Sequence, residues 1–226
     1  MSLLLLFDID GTLLIGAADA HRDAMRAALL EVYGIDPDRI RVDPAGRTDL
    51  EIARMILVDC DVDAKRIDDG LADLHVAMVR AYAERAHDLS DRVAPGAREV
   101  LERLAGGEDI LSLVTGNLEP IARLKLRCGG IGRYFAHGQG GFGSDAEDRT
   151  YLPGIARRRA GDSGHPWPAE RTVVIGDTPR DIVCARADGV RCIGVPTGPH
   201  AAADLRDADA VVGSLTELPD ALDAWR

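Results

Sequence analysis
Five consecutive apolar residues, Leu3-Leu4-Leu5-Leu6-Phe7, break abruptly at Asp8-Ile9-Asp10-Gly11-Thr12. A run this short cannot cross a membrane or make an ordinary helix. Stopped by turn-forming residues, it predicts a strand buried on both faces of a parallel sheet. Further short apolar runs predict strands at 110–114, Thr172–Gly176, 190–195 and 210–212, with at most a short one near Phe135-Ala136. Between them the apolar residues shift to helical spacing: Val100, Leu101 and Leu104; Ile121, Leu124 and Leu126; residues 153–160; and the stretch from Pro179 to Asp188. This alternation predicts an α/β fold, a doubly wound parallel sheet with a Rossmann-like core and right-handed crossovers.

Residues 16–92 follow a different pattern, with helices and no strand. Asp19 is expected to cap a helix carrying Met25, Ala28 or Leu29, and Val32, which ends at Gly34. Asp36-Pro37 and Asp43-Pro44 mark a loop over 35–46. Thr48-Asp49-Leu50-Glu51 reads as a capping box opening a helix through Ile52, Met55, Ile56 and Val58. A third helix, from about Ala64 to Ala86, places Leu71, Leu74, Met78 and Tyr82 on one face. The chain thus divides into an α/β core, residues 1–15 and 93–226, and an all-helical cap domain, residues 16–92, inserted after the first strand. An insert at that edge would sit over the crevice as a lid.

Composition narrows the class. The 226 residues are 46% hydrophobic and 29% charged, as expected of a soluble globular chain. A net charge of -11 argues against nucleic acid and anionic membranes as partners, since both reward clustered Lys and Arg. A small phosphorylated metabolite remains compatible where a metal or local cations offset the acid. Cys60, Cys128, Cys184 and Cys192 show no CxxC pair or zinc spacing, which points to reduced thiols in the cytoplasm. The apolar start has no basic flank or small-residue cleavage site and reads as strand, not signal peptide. Either a monomer or a homodimer fits this reading.

The predicted strand ends carry Asp8 and Asp10, Thr115 and Asn117, the 144–149 segment, and Asp177 with Asp181. Carboxylates gathered from separate strands suit a hard cation such as Mg2+. A carboxylate can also attack phosphorus, splitting one difficult displacement into two easier ones. The Thr115 hydroxyl and backbone N–H groups at strand-to-helix turns can hold phosphoryl oxygens.

Asp8-Ile9-Asp10-Gly11-Thr12, Thr115-Gly116-Asn117 and Gly176-Asp177-Thr178-Pro179-Arg180-Asp181 resemble the ordered signature motifs of the haloacid dehalogenase-like hydrolase superfamily. The helical insert is similar to the cap of its phosphoglycolate phosphatase-like and β-phosphoglucomutase-like members. The likeness runs essentially the whole length, including Pro95-Gly96 and Tyr134-Phe135. It implies a Mg2+-dependent phosphatase that hydrolyses a small phosphate monoester through an aspartyl-phosphate on Asp8. Asp8 would be nucleophile and metal ligand. Asp10 would be general acid and then base, its backbone carbonyl also binding metal. Asp177 would complete the protein ligands, with Asp181 acting through a bound water or by orienting neighbours. Thr115, Gly116 and Asn117 would bind the phosphoryl group. Helix capping is the alternative for Thr115, Asn117, Asp177 and Asp181.

The third motif departs from the family pattern. Gly143-Ser144-Asp145-Ala146-Glu147-Asp148-Arg149-Thr150 contains no Lys. Arg149 is the candidate substitute for binding phosphate; the alternative is a surface arginine paired with Asp145, Glu147 or Asp148. Lys125 is the nearest lysine by number but lies mid-helix after the second motif. Arg47, in Gly46-Arg47-Thr48, either meets a substrate carboxylate or second phosphate or is a solvated residue at a helix start. The six histidines show no ligand spacing; only His137, beside the third strand, stands where it could approach the site, and it is given no role. Asp10 argues against dehalogenase chemistry, and a first insert lysine as late as Lys65 argues against a phosphonatase. A phosphomutase, or a binding or regulatory member weakened by the missing Lys, are the alternatives to a phosphatase.

Overall fold
β1 (Leu4–Phe7) runs through the middle of a six-stranded sheet. The other strands are β2 (Ile110–Thr115), β3 (Gly141–Phe142), β4 (Thr172–Gly176), β5 (Arg191–Gly194) and β6 (Ala210–Val211). Their order is β3-β2-β1-β4-β5-β6, and every neighbouring pair is parallel. The computed structural model describes residues 2–37 and 42–226; part of the loop expected over 35–46 therefore lies outside the described residues.

Burial of β1 on both faces explains its unbroken apolar run. Leu5 and Phe7 point into a cluster with α4 (Ala97–Ala105), α5 (Glu119–Cys128) and α8 (Leu218–Asp223). Leu4 and Leu6 point the other way, toward α6 (Leu152–Ala160) and α7 (Pro179–Ala187). Residues that alternate sides along a strand thus find a helical layer on each face.

Three of the described helices lie between β1 and α4 in the chain: α1 (Asp19–Tyr33), α2 (Asp49–Asp59) and α3 (Ala64–Arg85). Met25, Leu29, Ile52, Ile56, Leu74, Met78 and Tyr82 form their shared core, closed from below by Leu118 and Ile121. The Thr48 hydroxyl accepts from Glu51 N, one half of the expected capping box, while the Glu51 carboxylate pairs with Arg47 instead of the Thr48 amide; Gly34 closes α1 in the left-handed conformation.

Several local expectations differ from the structure. Asp19 is not a side-chain cap; it occupies the first turn of α1, where its charge suits the helix dipole, and pairs with Arg22. Met55 (37% exposed) and Val58 (59%) face outward, because the buried stripe of α2 is Ile52, Ala53, Ile56 and Leu57. The third strand is Gly141–Phe142, not 135–136. Phe135 is buried for packing, edge-on to Phe7 at 6.1 Å, and pairs with no strand. β3 begins at a glycine because a Cβ on Gly141 would lie 2.2 Å from the Leu152 carbonyl. Such close backbone approach leaves no β-branched signature to read.

Candidate active site
Register decides what meets what. Phe7 is paired with Leu113 on one side and Ile175 on the other. The chain just past β1 therefore lies level with the ends of β2 and β4. The strand order reverses here, since successive strands continue outward from β2 on one side and from β4 on the other. Crevices at such switch points, beyond the carboxyl ends of the strands, are where open α/β sheets bind ligands.

Asp8 is buried at this point, and its Oδ1 accepts from Arg149 Nη2 at 3.1 Å. The same nitrogen donates to Asp181 Oδ1 at 2.5 Å. Arg149, only 6% exposed, sits in the short turn that precedes α6. It is not a surface residue paired with the loop acids: Asp145 pairs with Arg159, and Glu147 with Arg54. Asp181 caps the start of α7, where its Oδ2 accepts from the Thr178 amide and hydroxyl at 2.9 and 2.8 Å. The capping alternative thus holds for Asp181, and its other oxygen still serves Arg149.

Asp177, one residue beyond β4, offers one oxygen to the Thr12 hydroxyl at 3.0 Å. Its Oδ2 is buried with no hydrogen-bond partner. Such an orphaned carboxylate oxygen is costly unless a cation meets it. Asp8, Asp177 and Asp181 each place a ligand oxygen within 4.8 Å of the others, so the donor set fits a hard divalent cation. Asp181 is the poorest ligand of the three because both its oxygens are taken. Gly11, at φ 90°, brings the chain so close that a Cβ there would lie 2.3 Å from the Asp177 carboxylate.

Burial pushes the Asp8 carboxyl up to about 7; Arg149 opposes this, and the charges of Asp181 and Asp10 add to it. Burial, then the neighbouring charges of Asp8 and Asp181, raise Asp177 to about 8. Asp10 behaves oppositely. Burial would raise it as well, but Lys125 foremost, then His21 and the hydrogen bonds from Lys125 and Asn117, hold it below the usual range. Environment therefore separates acids only two residues apart in sequence.

The Asp10 contacts reach further than the motifs suggest. Lys125 Nζ donates to both carboxylate oxygens, at 2.9 and 2.7 Å, and Asn117 Nδ2 donates to Oδ2 at 2.8 Å. Asn117 Nδ2 also donates to Thr115 Oγ1 at 2.8 Å. Lys125 Nζ lies 2.9 Å from His21 Nδ1, and His21 Nε2 lies 3.1 Å from Asp49 Oδ2. Asp49 Oδ2 in turn accepts from Leu118 N at 2.8 Å. Motif reading missed Lys125, His21 and Asp49. A detectable signal existed for Lys125: it falls on the buried stripe of α5, four residues after Ile121, where a lone lysine needs a partner. His137 lines a separate cavity with Arg123 and Arg127 and does not reach these acids.

The helical insert meets this crevice directly. Asp49 N donates to Gly116 O at 2.8 Å, and a Cβ on Gly116 would fall 1.8 Å from Arg47 O. Thr48 Oγ1 donates to Glu147 O at 2.5 Å, and Arg180 Nη1 reaches Asp43 at 3.0 Å. Beneath them lies a cavity of about 570 Å3 lined by Asp8, Asp10, Thr115, Arg149, Asp177 and Arg47. That volume suits a small metabolite. No described helix is long and apolar enough to cross a membrane.

Strand-end carboxylates, a buried guanidinium and a threonine thus face one cavity at the switch point of an α/β sheet. Residues 5–186 match the family model for haloacid dehalogenase-like hydrolases, and the chain belongs to that family. It falls in the branch of phosphoglycolate phosphatases and β-phosphoglucomutases. It is 28% identical over 200 residues to a phosphoglycolate phosphatase of Pseudomonas fluorescens, covering 86% of this chain and 70% of that one. A 5'-nucleotidase of Pseudomonas aeruginosa is 30% identical over 207 residues, covering 89% and 86%. A β-phosphoglucomutase from Clostridium difficile shares the fold at a TM-score of 0.69 and 18% identity, covering 100% of this chain and 97% of its own.

Proposed function
We propose that the chain is a Mg2+-dependent phosphatase that hydrolyses a small phosphate monoester through an aspartyl-phosphate on Asp8. The observation that carries this reading is the pairing of Asp8 with Arg149 beside the unpartnered Asp177 Oδ2. A nucleophile, a cation to hold it and an oxygen lacking its own counter-charge stand together.

Asp8, Asp177 and the Asp10 backbone carbonyl would hold the metal, which supplies charge neutralisation for the phosphoryl oxygens when bound. Arg149 keeps one Asp8 oxygen oriented and contributes charge to the same oxygens. The free Asp8 oxygen attacks phosphorus as the ester P–O bond breaks. Asp10 donates a proton to the departing oxygen, so an alcohol leaves. It then accepts a proton from the water that attacks the phosphoryl-aspartate, releasing phosphate and restoring Asp8. In the free site Lys125 favours the ionised form of Asp10, ready to act as base. An arriving phosphate dianion raises its proton affinity and readies it as acid.

Thr115 and the Gly116 and Asn117 backbone would receive the remaining phosphoryl oxygens. In this reading the helical insert is the cap that limits bulk water around the intermediate, supported by its hydrogen bonds to Gly116 and Glu147. A cytoplasmic setting goes with the proposal, supported by four cysteines in thiol form. The test is hydrolysis of p-nitrophenyl phosphate with Mg2+, with EDTA, and by Asp8→Asn. Turnover is expected only in the first case. Activity that survives Asp8→Asn would remove Asp8 as nucleophile.

A further inference from the structure
Lys125 and Asn117 hold the Asp10 carboxylate, and both lead back to Asp49 on the helical insert. Lys125 Nζ reaches both Asp10 oxygens, and Asn117 Nδ2 reaches Oδ2. Asp49 is 3% exposed and opens α2 behind the Thr48 cap. Its amide donates to Gly116 O, and its Oδ2 accepts from Leu118 N, both at 2.8 Å. Asn117 is thereby bracketed along the chain by bonds to a single residue.

The other route passes through His21. An ammonium carries three N–H donors. At Lys125 two of them serve Asp10, and the third has His21 Nδ1 at 2.9 Å. Nδ1 is therefore the acceptor of the ring, which places the ring proton on Nε2. Asp49 Oδ2 lies 3.1 Å from that nitrogen and receives the proton's hydrogen bond. The ring also stands edge-on to the buried Tyr82, with centroids 5.7 Å apart. Donors and acceptors thus alternate without conflict from Asp10 to Asp49. An acid in the first turn of α2 also serves the helix dipole, but Glu51 already stands there. Helix capping accounts for neither the His21 nor the Leu118 contact; support of Asp10 accounts for both.

We propose that Asp49 is a positioning residue for proton transfer, acting on Asp10 through His21 and Lys125 and through the 116–118 backbone. This rests on the phosphatase reading above and adds to it a residue outside the motifs. In this role Asp49 sets where the Asp10 proton sits relative to the departing oxygen. Its loss should tell most on esters whose leaving oxygen needs that proton. A p-nitrophenolate departs as a stable anion, whereas an alkoxide does not.

The test compares kcat/KM for p-nitrophenyl phosphate with that for an alkyl ester, glycerol phosphate or phosphoglycolate, whichever the wild type turns over faster. Asp49→Ala is expected to lose about thirtyfold on the alkyl ester and about threefold on the aryl ester, part of what a placed acid contributes. Asp49→Asn, which keeps an acceptor oxygen for Leu118 and His21, should recover most of the alkyl loss. Adding His21→Leu to Asp49→Ala should cost at most about twofold more, because the two act through one chain. His21→Leu alone should skew the ratio toward the aryl ester by about fivefold, and it carries the test should Asp49→Ala fail to fold. In the metal-free protein, NMR of the labelled histidines should show a His21 Nε2–H held against solvent exchange, absent in Asp49→Ala. Equal losses on both esters, losses that multiply in the double variant, or a ring proton on Nδ1 overturn the proposal. So does a wild type that hydrolyses p-nitrophenyl phosphate and no alkyl ester. If no monoester is turned over with Mg2+, the phosphatase reading falls and takes the proposed role with it. The His21 proton, read without metal or substrate, tells that failure apart from a failure of the Asp49 contacts.

Discussion

Lys125 Nζ donates to both carboxylate oxygens of Asp10, from a fully buried position on the apolar stripe of α5. The ammonium fixes the orientation of that carboxylate and favours its charged form. Lys125→Met, which keeps most of the side-chain volume, is expected to lower kcat about a hundredfold with a smaller change in KM, the scale of misplacing an acid–base group. Lys125 holds Asp10 low, so its removal raises Asp10, and the limb of the kcat profile that needs ionised Asp10 moves to higher pH. A full pH profile checks this. Unchanged kcat and an unmoved limb would remove Lys125 from the chemistry.

Arg149 carries the contact to Asp8 that the family pattern assigns to a lysine. Arg149→Ala is expected to reduce turnover by about a hundredfold or more. It also leaves Asp8 and Asp181 buried with no cation, which costs about 3–5 kcal/mol for a broken buried pair. Arg149→Lys should recover part of both, since an ammonium offers charge without the planar fork. Urea melts alongside p-nitrophenyl phosphate kinetics separate the two effects. Near-wild-type turnover in Arg149→Ala would place the phosphate-binding cation elsewhere.

Without metal, stability should depend on pH in a direction unusual for acids. Asp8 and Asp177 are raised from 3.8 to about 7 and about 8 in the folded chain. The folded state therefore keeps protons that the unfolded state releases. Their contribution is full below about pH 4, declines as pH rises toward 8, and is flat beyond. Melting in EDTA should show Tm falling between pH 5 and 8, with each ~1 kcal/mol lost lowering Tm by about 2–4 °C at this chain length. Asp177→Asn should flatten the decline. Mg2+ should raise Tm more at pH 8 than at pH 5, because cation and proton compete for the same oxygens. A Tm in EDTA that rises over this range contradicts the assignment.

Gly116 is a point of close backbone approach between the insert and the loop after β2. A methyl group there would collide with the Arg47 carbonyl, backbone against backbone, with no flexible side chain to yield. Gly116→Ala is expected to lower kcat/KM by about a hundredfold, as displacement of an active-site element by about 1 Å can do. Its Tm should change far less than its activity, because the sheet core is untouched. Steady-state kinetics and a thermal melt on the same sample provide the comparison.

Much of the architecture was readable because its causes are local. A strand buried on both faces must be apolar throughout, so β1, β2 and β4 declare themselves. The Thr48 cap and the Gly34 stop announce helix ends by their own chemistry. β3 was misplaced because a two-residue strand beginning at glycine is defined by what approaches it, the Leu152 backbone. The acids of the site were legible as strand-end residues with motif spacing. Lys125, His21 and Asp49 were not, because their meaning comes from a meeting of α1, α2 and α5 that no spacing encodes. The family pattern carries its lysine in the third motif, whereas the lysine of this site is buried on α5.

The site draws on two parts of the molecule that need not melt together. Asp8, Thr115 and Asp177 hang from three adjacent strands in register, so their geometry should survive until the sheet itself gives way. The support of Asp10 extends through Lys125 to His21 on α1 and Asp49 on α2. Warming that loosens those helices first would disturb proton transfer while leaving the nucleophile in place. Heat inactivation would then begin below the main melting transition, while the strand-end acids still keep their places.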